Sequence, residues 1–143
     1  MSNLSKIIDL MVEVNRLALC GRDFVEGFGL ETLAREYNGI GPAFFPEKLR
    51  EKTTKFLSLF EPAALIHDLR NFESDGSEEK FHLANAEFLA NCRRCVEYKY
   101  AWWNLKRYRG NAVANLLYEF VDGPAGWKAW MDCYEKNQKG NNR

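Results

Sequence analysis

The segment Leu4–Ala18 reads LSKIIDLMVEVNRLA. Its apolar residues Leu4, Ile7, Ile8, Met11, Val14, Leu17 and Ala18 recur at steps of three and four, the spacing of one face of an amphipathic α-helix. Gly21 fits the residue just past the end of that helix, near Cys20. The same period returns down the chain. A short helix is expected over Leu30–Tyr37, after a loop that contains Gly27 and Gly29. Asn38-Gly39-Ile40-Gly41-Pro42 is the strongest breaker cluster and implies a tight loop. Pro46 opens the next expected helix, with Leu49, Phe56, Leu57, Leu59 and Phe60 as its apolar positions. Pro62 reads as a first-turn residue of a further helix, Ala63 to about Phe72. After the turn Glu73-Ser74-Asp75-Gly76, Ser77 is a good N-cap, with Glu78 and Glu79 at the positive end of the helix dipole. That helix is expected to run from Glu78 to about Tyr108 and to break at Arg109-Gly110-Asn111. Ala112–Val121 and Ala125–Glu135 complete the set. No segment alternates with period two, so the expected class is all-α. Residues 1–136 form one domain in this reading, and 137–143 a polar, disordered tail.

Bulk properties agree with a globular chain. Of 143 residues, 46% are hydrophobic and 28% charged, a mixture that can bury a core. The 20 basic and 20 acidic residues cancel, so no overall field draws the molecule to nucleic acid, which makes that partner unlikely on composition. Lys6, Asp9, Glu13 and Arg16 interrupt any signal-peptide core, and no apolar run reaches the roughly 18 residues of a membrane span. The expected compartment is the cytoplasm, with reduced cysteines. Cys92 and Cys95 form a single CxxC, half of a zinc site at most, and read as neighbouring positions on a buried helix face.

Two histidines are present. His67 stands beside Asp68 in Phe60-Glu61-Pro62-Ala63-Ala64-Leu65-Ile66-His67-Asp68-Leu69. Adjacent helical residues project about 100° apart, so the two side chains serve different partners. A general base and a cation ligand are one such division of labour; a helix-surface pair without chemistry is the alternative. Asn85 lies as far beyond the Asp75-Gly76 turn as His67 lies before it. On two antiparallel helices the two residues fall at similar height. Asn85 would then orient the imidazole.

These residues resemble a family. The stretch Phe60–Asp68 looks like the His-Asp helix of phospholipase A2-type proteins, Asn38–Pro42 like their glycine-rich calcium loop, and Ala84-Asn85-Ala86-Glu87-Phe88 like their second long helix. The likeness spans Asn38 to Phe88, and is strongest to short forms encoded by bacteriophages and prophages. It implies His67 as the base that takes a proton from water, Asp68 as a Ca²⁺ ligand, and backbone carbonyls around Asn38, Ile40 and Gly41 as further oxygen ligands. It implies a lipid or other ester as substrate. Asn85 stands where the family keeps an Asp. In a serine protease the corresponding exchange costs about 10⁴ in rate. The family's loop cysteine is Ile40 here, the cysteines that flank its His-Asp helix are missing, and the loop-to-His spacing is longer than in secreted members. The reading that follows is a phospholipase A2-like protein with Ca²⁺-dependent ester hydrolysis. The alternative is a non-catalytic helical module, a phage structural or accessory protein with a protein partner or the phage particle as its target.

In the stretch Arg93–Arg109, basic and aromatic residues interleave. On a continuous helix Tyr98, Ala101, Trp102, Leu105 and Tyr108 form one stripe, and Val96, Tyr100 and Trp103 another. A helix apolar on two sides is usually wedged in a core. A binding surface built on Trp102 and Trp103, for lipid or bases, is the other reading. Trp127, Trp130 and Tyr134 share a face of the last helix, which is expected to dock on the long one.

Overall fold

A computed structural model describes residues 3–39 and 56–141 of the chain. Ile40, Gly41, Pro42, Pro46 and Leu49, which carry part of the expected loop and the helix after it, lie outside the described residues. Seven helices and no strand are found among the described residues, so the protein is all-α. They are α1 (Asn3–Arg16), α2 (Arg22–Glu26), α3 (Leu30–Glu36), α4 (Leu57–Phe72), α5 (Glu78–Lys99), α6 (Leu105–Val121) and α7 (Pro124–Asn141).

The fold is built around α4. Phe60, Pro62, Ala63, Ala64, Leu65, Ile66 and Leu69 are all buried, which leaves little of its circumference for water. A helix apolar on all sides needs neighbours on all sides. Accordingly α4 touches α1, α2, α3, α5 and α7, with its broadest contact on α5. Pro62 lies inside this one helix; it does not start a new one. Proline removes a backbone bond and costs about 3 kcal/mol within a helix. Here the burial of Phe60, Ala63, Ala64 and Leu65 around it outweighs that cost, since each large buried side chain returns roughly 2 kcal/mol.

The α4–α5 connection forms as its residues dictate. The Ser77 side chain accepts a hydrogen bond from the Lys80 amide, and Glu78 and Glu79 occupy the first turn of α5. Gly76 has φ 76°, and a Cβ there would lie 2.8 Å from the Tyr134 ring. Only glycine meets both demands.

Three boundaries differ from expectation. First, α1 stops at Arg16 and the chain turns before Cys20. The buried Asn91 side chain holds that turn by accepting from the Cys20 amide and donating to the Cys20 carbonyl, both at 2.9 Å. Second, α5 ends at Lys99, well before Tyr108, and Asn104 caps α6 by accepting from the Lys106 amide at 3.0 Å. Gly110 therefore sits inside α6 and breaks nothing. Its missing side chain lets α6 close onto α5: a Cβ would stand 2.8 Å from Val96 Cγ2. Third, α7 runs on through Asn141, so residues 137–141 are helix and not a disordered tail. Asn137 anchors this end by donating to the carbonyls of Phe72 and Ser74 at 2.8 and 3.2 Å. Trp130 is buried against Phe81 and donates to the Ser77 carbonyl at 3.1 Å, which docks α7 on the start of α5 as its aromatic face suggests.

Gly110→Ala tests the α5–α6 approach. Overpacking against Val96 costs about 2 kcal/mol and helix propensity returns about 1 kcal/mol. A net loss of about 1 kcal/mol is expected in urea unfolding, while Gly140→Ala, at a site open to solvent, loses nothing. A gain at Gly110 would contradict the close approach.

Candidate active site

α4 presents its two polar neighbours to two different partners. His67 faces α5, where its Nε2 lies 2.8 Å from Asn85 Oδ1. Phe88, one turn on, stacks at a tilt with ring centroids 4.8 Å apart. The orientation of the Asn85 amide is fixed from behind. Its Nδ2 donates to Asp122 Oδ1 at 2.9 Å and to the Val121 carbonyl at 3.3 Å, so Oδ1 must face the ring. His67 therefore carries its hydrogen on Nε2 and donates it, and the lone pair of the neutral ring is on Nδ1.

Asp68 turns the other way, toward the chain that leaves α3. Its Oδ2 accepts from the amides of Asn38 and Gly39 at 2.9 and 3.2 Å. Gly39 has φ 73°, a left-handed conformation open to glycine at no cost, which lets consecutive amides converge on one oxygen. Just before them, Tyr37 donates to Glu61 at 3.1 Å, and Lys6 pairs with Glu61 at 2.7 Å. The start of the loop is thus pinned to α4 at two levels. Asn38 meets Asp68 through its backbone N–H. Ile40 and Gly41 lie outside the described residues.

Burial sets the electrostatics. It pushes the His67 pKa below its ordinary 6.5, against the upward pull of the Asn85 bond and of Glu87. Glu87 itself is neutralised by a bidentate pair with Arg70, both bonds at 3.0 Å. Burial also lifts the Asp68 carboxyl from 3.8 to about 7, while the two loop amides pull it down. Among the described residues, no Lys or Arg pairs with Asp68.

The hydrogen-bonded chain continues past Asn85. Asp122 Oδ1 also accepts from His82 Nδ1 at 2.7 Å. Both histidines are therefore joined through one amide and one carboxylate: His67, Asn85, Asp122, His82. Asp122 and His82 were missed as site residues because Asp122 sits in an Asp-Gly-Pro turn, far along the chain from Asn85. A buried Asn with no charge beside it in sequence was the available hint, since a buried amide must spend its donors somewhere.

Trp102 and Trp103 are not part of this site. Both lie in the α5–α6 connection and are largely exposed, at 69% and 71%. The expected core stripe fails because residues 100–104 are not helical. Cys92 and Cys95 are buried in the core, and burial raises both thiols, Cys95 to about 12. Clefts bounded by described residues include the following two. One, of about 460 Å³, opens between Arg70, Glu73, Lys80 and Glu87. The other, of about 550 Å³, opens beside His82, Asp122 and Trp127. His67 lines neither. No helix among the described residues is long and apolar enough to cross a membrane. Comparison with protein families, with curated proteins and with solved structures gives no match.

The two histidines should titrate on opposite sides of 6.5, His67 below it because it is buried and His82 above it because Asp122 and Glu78 favour its charged form. By linkage, the His67 contribution to stability is present above 6.5 and lost as pH falls through its folded pKa. The His82 contribution is present below 6.5 and lost as pH rises. The Asp68 contribution is lost as pH rises from 3.8 through about 7, because the folded state holds the proton longer. NMR titration of the imidazole protons reads the order directly. His67→Ala should remove the lower-titrating signal; loss of the upper one instead would invert the two environments.

Proposed function

We propose that the protein is a hydrolase of lipid or related carboxylic esters, of phospholipase A2-like type, with His67 as general base. The observation that carries this reading is the 2.8 Å bond from His67 Nε2 to Asn85, one residue from an Asp68 tied to the Asn38-Gly39 loop. The resemblance assigns roles to these residues, and the hydrogen bonds of His67 and Asp68 support that reading.

The chemistry follows from the tautomer. Nδ1 of neutral His67 takes a proton from water as the oxygen attacks the ester carbonyl. The resulting imidazolium keeps its Nε2–H bond to Asn85 Oδ1. Collapse of the tetrahedral intermediate expels the alkoxide, which receives the proton from Nδ1. Asn85 is uncharged, but Asp122 accepts from its amide and polarises it, so a carboxylate acts on the imidazolium at one remove. The lowered His67 pKa keeps the base unprotonated at neutral pH.

Asp68 suits a hard cation, being a half-buried carboxylate with a raised pKa and no cationic side chain on it among the described residues. Asp68, with carbonyls of Asn38, Ile40 and Gly41, would hold Ca²⁺. When bound it would supply polarisation of the ester carbonyl and stabilisation of the oxyanion. A non-catalytic helical module, phage-related or otherwise, is the second reading. It is favoured by the amide at Asn85, which carries no charge to stabilise an imidazolium.

Hydrolysis of phospholipid vesicles with Ca²⁺ tests the proposal. His67→Ala should abolish release of fatty acid. Asn85→Asp alone should not improve the rate, because it sets a second carboxylate against Asp122 at the 2.9 Å contact. The paired exchange Asn85→Asp with Asp122→Asn moves the charge next to the ring and should raise the rate ten-fold or more, on the order of the gain expected from a direct carboxylate partner. Release by His67→Ala equal to wild type would leave the non-catalytic reading.

Calcium binding has its own readout in thermal melting. Ca²⁺ should raise the melting temperature of the wild type and leave Asp68→Asn unmoved. Without Ca²⁺ at pH 8, Asp68→Asn should melt above the wild type, because it keeps an acceptor for the loop amides and removes a buried charge. Equal response of both proteins to Ca²⁺ would take Asp68 out of the metal site.

A further inference from the structure

The α5–α6 connection exposes an unusual run of side chains. Of the eleven large hydrophobic residues exposed among the described ones, five fall within residues 98–108: Tyr98, Trp102, Trp103, Leu105 and Tyr108. Single exposed hydrophobics are ordinary, but a contiguous group marks a surface that meets something apolar. The group is held in place. The Tyr108 hydroxyl donates to the Trp102 carbonyl at 2.7 Å, and Arg107 donates to the Tyr100 carbonyl at 3.3 Å. Leu105 and Tyr108 are one turn apart on α6 and share a face.

Charge identifies what it meets. Between Tyr98 and Arg109 there are four cations, Lys99, Lys106, Arg107 and Arg109, and no acidic residue. In a chain whose charges cancel overall, this stretch is locally basic. We propose that the α5–α6 knuckle is a peripheral membrane-docking surface for anionic bilayers. Trp102, Trp103 and Leu105 enter the headgroup–acyl boundary, and Lys99, Lys106 and Arg109 reach lipid phosphates. The exposed indoles argue against nucleic acid. The Trp102 and Trp103 rings are perpendicular, at 86° with centroids 5.7 Å apart, so they offer no pair of parallel faces to successive bases. An exposed aliphatic Leu105 suits acyl chains and not bases. Whole-molecule attraction is absent at net charge zero, so the local patch must supply both the apolar and the ionic part.

This surface does not depend on the esterase reading. Asn85 and Lys99 are fourteen residues apart on one helix, so the knuckle lies about 21 Å along α5 from the His67 site. It is a second site with its own ligand, the surface of a bilayer.

The experiment is flotation of the full chain with vesicles of ether-linked lipids, which contain no carboxylic ester to cleave. Vesicles of phosphatidylcholine alone are compared with vesicles one-third phosphatidylglycerol. Wild type should float with the anionic vesicles, its tryptophan emission should shift to the blue, and added salt should weaken binding. Trp102→Ala with Trp103→Ala should lose both the flotation and most of the shift. Lys99→Gln with Lys106→Gln and Arg109→Gln should lose on the order of a hundred-fold in partitioning, at about five-fold per charge. His67→Ala should float like wild type while losing hydrolysis, which separates this proposal from the catalytic one. No flotation, flotation unchanged by the Trp102 and Trp103 exchanges, or tighter binding to a single-stranded oligonucleotide than to the anionic vesicles would overturn it.

Discussion

A helix enclosed by other helices can carry polar side chains only where each finds a partner, and α4 is such a helix. Seven of its residues are buried, and five other helices lie on it. Its polar residues Glu61, His67, Asp68 and Arg70 each meet a designated group from a different part of the chain: Tyr37 and Lys6, Asn85, the loop amides, and Glu87. An unmet polar group in this setting would cost 1–3 kcal/mol, roughly, and more if charged. The candidate site is therefore a by-product of solvency: the core tolerates His67 and Asp68 because α5 and the Asn38-Gly39 loop receive them.

Asparagine is the connector in this design. Asn85 links a ring on α4 to a carboxylate beyond α6, Asn91 clasps both backbone groups of Cys20, and Asn137 closes the carbonyls at the end of α4. Each amide joins segments more than fifteen residues apart, offers donor and acceptor together, and carries no charge to desolvate. At Asn91 and Asn137 that neutrality is an advantage. At Asn85 it has a cost for base catalysis, and Asp122 partly offsets it by standing behind the amide, where a half-solvated position and His82 lessen the expense of ionisation.

What was legible in the sequence was local. Ser77 as cap, Glu78 and Glu79 behind it, and the apolar period of Leu4–Ala18 each act within one turn, so a single segment contains the whole cause. The His67–Asn85 contact was legible for a geometric reason, since a short turn between two helices relates residues at equal distance from it. Gly110 was misread because the same residue that breaks a helix in isolation permits close packing in company, and only Val96 on another helix decides between the two. The Trp102-Trp103 stripe assumed a helix that ends at Lys99. Asp122 was invisible because nothing within its turn reports on Asn85, and a turn aspartate needs no further explanation.

The bond between the Gly39 amide and Asp68 also bears on how the protein ages. Asn-Gly pairs lose ammonia when the glycine nitrogen attacks the asparagine side-chain carbonyl, and glycine's small size makes that attack easy. At Asn38-Gly39 the attacking nitrogen is engaged with a carboxylate oxygen 3.2 Å away, which discourages the loss of its proton and restrains the rotation that closure of the ring requires. The contact that holds the Asn38 and Gly39 amides is also a chemical preservative of that pair. Its protection is greatest when Asp68 is ionised, so the covalent lifetime of the Asn38-Gly39 bond is tied to the charge of one side chain.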